Sequence, residues 1–182
     1  MATGFSISTF RSRALAGEGA RANLFDVLMN LPTIAGLSTN DMTFTVKAAS
    51  LPGSAVGVID VPYFGRVVKV PGNKTFENWT VTVMNDESFS VRNAMEKWIA
   101  SMGSHEKNVV VAGGLQYGTA QVMQYSKQGG SAIHTYKFEK IFPVNVAAID
   151  VGWDTNDAIE EFTIEFAFDY WTSLKGSAAV VT

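Results

Sequence analysis

No cysteine occurs among the 182 residues. That absence removes disulfides, thiolate zinc sites, iron–sulfur clusters and cysteine nucleophiles together. Charge is scarce too: Asp, Glu, Lys and Arg make up 17% of the chain, against a usual ~25%. Weakly hydrated surface of that kind suits burial against other subunits, although composition alone allows a well-packed monomer equally. The basic residues are scattered, with Arg11 and Arg13 the tightest cluster, and the formal net charge is -3. Tight non-specific grip on nucleic acid needs several Lys or Arg aimed at phosphates, so such a function is excluded. A weakly acidic surface is instead what lets DNA slide past without adhering. No apolar run approaches the ~18 residues of a membrane span. Residues 1–19 hold no apolar core of a secretory signal. A soluble chain, intracellular when made, is expected.

What is present is apolar residues, 47% of the chain, distributed mostly with a period of two. Residues 1–19 are small and polar and predict a flexible arm preceding one domain over 20–182. Residues 20–30 leave strand and short helix both open. In 42–48, Phe44, Val46 and Ala48 alternate with Thr43, Thr45 and Lys47, which predicts a half-buried strand. Two short strands follow, Gly57 to Val61 stopped by Pro62, and Gly65 to Val70 closed by Pro71-Gly72. In 75–84, Trp79, Val81 and Val83 share one face, with Phe76 on the other.

One helix is expected at about 88–102. Val91, Ala94, Met95, Trp98, Ile99 and Met102 form an apolar stripe at helical spacing. Ser88 or Ser90 is placed to cap its first turn, with Asp86 and Glu87 near the positive end of the dipole. Gly103 stands where a left-handed C-terminal residue is wanted. Residues 103–118 are Gly-rich and read as a long loop with a short strand at 109–111. A hairpin is expected from 119–125 and 131–142 around Gln128-Gly129-Gly130, then an apolar strand over 144–151. The clearest alternation is in 159–171, where Phe162, Ile164, Phe166, Phe168 and Tyr170 oppose an acidic side carrying Glu161, Glu165 and Asp169. Many short strands separated by Gly and Pro make the chain mainly β, an antiparallel β-sandwich or barrel-like fold with one flanking α-helix.

Nothing completes a nucleophile, metal or cofactor arrangement. His105 and His134 are far apart and lack the third and fourth ligands a metal site needs. Glu160-Glu161 and Asp86-Glu87 are sequence neighbours, and on a strand neighbours point to opposite faces. The run from Ala112 to Gly118, with Gly113 and Gly114, lacks the Lys and Ser/Thr that end a phosphate-binding loop. The reading is of a non-enzyme without cofactor or metal. Pro62, Tyr63, Phe64, Gly65 and Arg66 put aromatics in a turn, either at a subunit interface or covering the edge of the core.

A long block carries a resemblance. It runs Leu51-Pro52-Gly53-Ser54, then Val58 to Arg66, then Lys69-Val70-Pro71-Gly72, then Thr75 to Val83, Asn85 to Phe89 and Arg92 to Trp98. Together with Arg21 to Phe25 and Glu160 to Trp171, it resembles the tail tube proteins of phages with contractile tails, over about residues 20–171. The resemblance implies a sheet-rich subunit of which six close into a ring by joining sheets. The rings stack into a hollow tube that grows from a baseplate around a tape-measure protein, inside a contractile sheath. DNA passes down the lumen without tight binding, and the protein ends in the virion tail after assembly in the host cytoplasm. On that basis Pro62 to Arg66, Gly113 and Gly114 are ring-interface candidates. Glu161, Glu165 and Asp169 are candidates for an acidic lumen or for a sheath-facing surface. The inner tube of a protein-injecting device has the same logic, and a monomeric β-sandwich binding module is the alternative of another class.

Overall fold

The computed structural model describes residues 6–13, 19–38, 42, 43, 45–103, 117–127, 129–154 and 158–175. The expected strand at 109–111, together with His105, Gly113 and Gly114, lies outside the described residues. The architecture is mainly β and antiparallel, as the alternation predicts. Four strands form a first sheet in the order β1 (Phe25–Asn30), β6 (Gly118–Tyr125), β7 (Ala132–Val146), β9 (Tyr170–Lys175). A second sheet runs from the far end of β7 through β8 (Glu161–Ala167) and β5 (Trp79–Met84) to β2 (Val46–Ala49). One strand therefore serves both sheets.

The passage occurs at Lys140, whose φ is 54°. Gly118 pairs with Ile141 and Ala120 with Phe138, so β7 holds one extra residue there. Such a bulge bends a strand and increases its twist. Before it, β7 pairs with β6 and β9; from Phe142 onward it pairs with β8. The Lys140 Nζ lies 2.9 Å from Asp169 Oδ2, and the Asp169 N–H donates to the Glu139 carbonyl at 3.2 Å. The corner is thus tied to the turn between β8 and β9, and the hydrogen bond to Asp169 raises the Lys140 pKa above its ordinary value.

The core fills the space between the sheets. Val27, Met29, Val122 and Phe138 from the first meet Trp79, Val81, Val83, Phe162, Ile164 and Phe166 from the second, all essentially buried. Trp79 stacks on Phe138 with ring centroids 4.4 Å apart. The flanking helix, α2 (Ser90–Met102), buries Val91, Ala94, Met95 and Trp98 of the predicted stripe, while Ile99 and Met102 are half-buried. Trp98 approaches Phe166 at 6.4 Å. A short helix α1 (Ile7–Arg13) buries none of its residues.

Gly118 explains the start of β6. A Cβ there would stand 2.8 Å from the Asn30 carbonyl oxygen and 3.0 Å from the Trp98 ring. The oxygen belongs to the backbone of β1 and cannot step aside. Gly118→Ala is expected to cost ~1–3 kcal/mol through overpacking, read as a lower urea midpoint.

Asp86 starts α2. Its carboxylate accepts the Ser90 N–H at 3.0 Å and the Ser90 hydroxyl at 2.9 Å, and also the Ser88 hydroxyl. The serines expected to cap the helix therefore donate to Asp86 and leave the capping to it. These donors, Ser88 first, lower the Asp86 pKa below its ordinary 3.8. A depressed carboxylate pKa contributes stability that is full above 3.8 and is lost as pH falls through the folded value. Asp86→Ala is expected to cost ~0.5–2 kcal/mol at neutral pH. In urea unfolding the gap from the wild type should narrow as pH falls below 3.8 and through the lowered folded value.

Several boundaries differ from expectation. Of residues 20–30, which left strand and helix open, Phe25–Asn30 form a strand. The strand foreseen over 42–48 begins only at Val46, and a register shift between Val46 and Ala48 turns Ala48 outward. Gly103 is extended, with φ -168°, and is no left-handed cap. No separate strand occupies 144–151, because β7 itself continues through Val146. The single strand foreseen over 159–171 is two, broken at Phe168-Asp169.

Candidate assembly surface

Two strands stand apart from the sandwich. Among the described residues, β3 (Ala55–Tyr63) and β4 (Arg66–Thr75) pair only with each other. They include Pro62 and Pro71, which were expected to end them. Tyr63 and Arg66 close the turn as a pair. Hydrogen-bonded and non-hydrogen-bonded pairs alternate from there, so Pro62 and Pro71 fall at non-hydrogen-bonded positions. Their nitrogens point to the outer edges, where no ladder bond is lost.

The pairing sorts the hairpin into two faces. Ile59 opposes Val70 and Val61 opposes Val68, with Tyr63 and Arg66 next along, giving an apolar face. The other face holds Val58 with Pro71, Asp60 with Lys69, and Pro62 with Val67. Every residue of β3 is exposed. Monomeric proteins rarely leave contiguous apolar surface of this kind wet.

The tip is strained. Phe64 has φ 41° and Gly65 φ 80°, as in a two-residue hairpin turn of the type that favours Asn-Gly. Gly65 adopts that geometry freely, whereas an aromatic residue there is an outlier costing roughly 1–3 kcal/mol. Phe64 is 90% exposed and meets Tyr63 edge-on at 4.7 Å. Neither ring covers the edge of the core.

The root of the hairpin, in contrast, is fastened. Trp79 Nε1 donates to the Ser50 carbonyl at 2.8 Å, and Trp171 Nε1 to the Gly53 carbonyl at 3.1 Å. Lys74 Nζ sits over the rings of Phe76 and Trp171, at 5.1 and 5.8 Å. The sequence signalled neither the two tryptophan hydrogen bonds nor the Lys74–Trp171 contact, because each joins residues distant in the chain.

The acidic candidates separate. Glu161 and Glu165 lie on the outer face of β8, with Glu161 ion-paired to Lys47 at 2.5 Å. Asp169 does not share their face, since the strand breaks before it and it pairs with Lys140 at the corner. His134 packs edge-on against Tyr136 at 4.7 Å in β7. Among the described residues, no three of His, Asp or Glu gather as a metal would require. In the cleft between α2 and β7, Arg92 pairs with Glu96 at 2.9 Å and donates to the Ala147 carbonyl at 3.1 Å.

Two other surfaces offer backbone rather than side chains. In the first sheet β1 and β9 each pair on one side only among the described residues. A packed sandwich with two open sheet edges and an apolar hairpin standing off it is the form of a structural subunit whose working surfaces are contacts. Residues 20–174 match the family of phage tail tube proteins, and the chain belongs to that family. It is 35% identical to the tail tube protein of Enterobacteria phage T4 over 86% of this chain and 93% of the relative. Identity to the tail tube protein of Serratia phage KSP90 is 23%, over 90% and 94% of the two chains. A chain in the baseplate of the anti-feeding prophage superposes with TM-score 0.65 at 10% identity, covering 86% of this chain and 96% of that one. A chain in the sheath-tube complex of an extracellular contractile injection system gives TM-score 0.61 at 16% identity, covering 94% and 99%. These two show that the fold is shared.

Proposed function

We propose that six copies close into a ring and that the rings stack into the inner tube of a contractile phage tail, the conduit for the genome. The observation that carries this reading is the β3–β4 hairpin, whose strands pair only with each other among the described residues and whose apolar face water does not favour. Ring closure uses the open edges of the first sheet, β9 of one copy pairing with β1 of the next. Joining edges in this way leaves none exposed to stray pairing, and head-to-tail contacts that close by rotation make rings.

In such a ring the outer face of the first sheet lines the lumen. Its charged residues are Asp26, Lys137 and Glu139, and Lys137 is paired with Glu139 at 2.7 Å. The remainder mixes Asn30, Thr119 and Thr172 with the exposed Ile133, Tyr170 and Leu174. A wall that is close to neutral gives DNA little to adhere to. Glu161 and Glu165, on the second sheet, then face the sheath. The hairpin, with Pro62 to Arg66 at its tip, reaches the next ring. The baseplate starts the tube and the tape-measure protein sets its length, and the finished tube belongs to the virion tail after assembly in the host cytoplasm. The match to a phage family favours DNA over protein as cargo.

Negative-stain electron microscopy of the purified chain at several concentrations tests this. Hollow rings or tubes of uniform width are expected. A chain that stays monomeric after baseplate and sheath partners are added overturns the reading.

A further inference from the structure

A cleft of about 130 Å³ opens where the two ends of the strand path, β1 and β2, face each other. Phe25, Ala49, Leu51 and Val122 form its apolar wall, with Ala22 and Gln124 at its sides. Its size is close to the roughly 150 Å³ apolar cavity that accepts benzene. The same chain carries a phenyl ring held out at the hairpin tip, 90% exposed and at a positive φ that Asn or Gly would occupy without strain. An exposed strained residue is explained when docking uses it. We infer that Phe64 of one copy seats in the cleft lined by Phe25, Ala49, Leu51 and Val122 of another copy.

The geometry also says how the copies are related. Leu51, in the cleft wall, lies at the root of the hairpin, just before Ala55 begins β3. The nine residues of β3 span ~30 Å at ~3.3 Å per residue. Knob and hole are therefore separated along the hairpin, and the contact of tip to root repeats in one direction. A heterologous contact propagates where its rotation does not close; in this docking it joins successive rings and leaves closure of each ring to the sheet edges. This docking rests on the tube reading and names the receiving site for the hairpin.

The absence of cysteine from the chain makes the test direct. Phe64→Cys and Leu51→Cys variants are mixed, assembled with baseplate as nucleus, and treated with a short bis-maleimide. A cross-link between positions 64 and 51 of different copies is expected, and none between Phe64→Cys and a Val144→Cys control beside α2. Tubes without the 64–51 cross-link overturn the docking while the tube reading stands. Wild-type chain that forms no tube with baseplate present overturns both.

A second pair of variants keeps the test independent of the cysteines. Phe64→Gly relaxes the turn, so the thermal midpoint of the monomer should hold or rise, while the concentration needed for tubes rises about tenfold or more. Ala49→Met, which fills the cleft from its own side, should raise that concentration likewise. A wild-type threshold in either variant overturns the docking.

Discussion

Tyr63→Asp is expected to leave the domain folded and to abolish long tubes. Tyr63 is 65% exposed, and its neighbours on the hairpin face are Ile59, Val61, Val68 and Val70. In the free subunit a carboxylate there stays in water, and surface substitutions of that kind shift stability by about 0.5 kcal/mol or less. Against another copy the same carboxylate is buried among apolar side chains, at an effective cost of several kcal/mol per ion. At 1.4 kcal/mol per factor of ten, a penalty of about 3 kcal/mol weakens each contact over a hundredfold. A ring repeats the loss at every subunit. Urea unfolding should show an unchanged midpoint, and electron microscopy should show rings or monomers. Tubes of wild-type length would remove the 61–66 tip from the interface.

Trp79→Ala is expected to have the largest effect on folding. Trp79 is 1% exposed and spans the core: it sits in β5 of the second sheet and stacks on Phe138 of the first. It also leans on Phe166 at 5.7 Å. Truncating a buried Trp costs ~3–5 kcal/mol, transfer and cavity together. Its Nε1 donates to the Ser50 carbonyl, and loss of that donor adds ~1–3 kcal/mol where the oxygen cannot reach water. Domains of ordinary size have ~5–15 kcal/mol in all, so the variant should be near the edge of unfolding. Trp79→Phe keeps most of the packing and loses the donor, and should fall between. Denaturant midpoints for the two variants check the order. A Trp79→Ala midpoint equal to the wild type would mean that the core closes around the missing ring.

Burial was legible where a short segment contains its own pattern. The faces of Trp79, Val81 and Val83, of Phe162, Ile164 and Phe166, and of Val91, Ala94, Met95 and Trp98 are buried as their spacing predicts. Pairing of 119–125 with 131–142 was legible too, because the Gly129-Gly130 turn marks it. Of the proposed assembly surface, the tip from Pro62 to Arg66 was visible as aromatics beside a glycine. The cleft that we assign to receive it was not visible, since Phe25, Ala49, Leu51 and Val122 come from three strands and a loop. Gly118 was read as the end of a loop, and only the Asn30 carbonyl beside it shows why no side chain fits.

By itself, then, the sequence determined the class of the protein: an apolar alternating chain with one amphipathic helix, and a long block shared with tail tube proteins. These properties are local or are carried by residue identity, so they need no partner to be read. Only the tertiary structure decided where strands turn. It placed the bend of β7 at Lys140, split 159–171 at Phe168-Asp169, and set β3 and β4 apart from both sheets with Pro62 and Pro71 inside them. Alternation reports which side chains share a face and is silent about which edge finds a partner. Pairing of edges is settled between residues far apart in the chain, by the closure of one core around Trp79, Phe138 and Phe166.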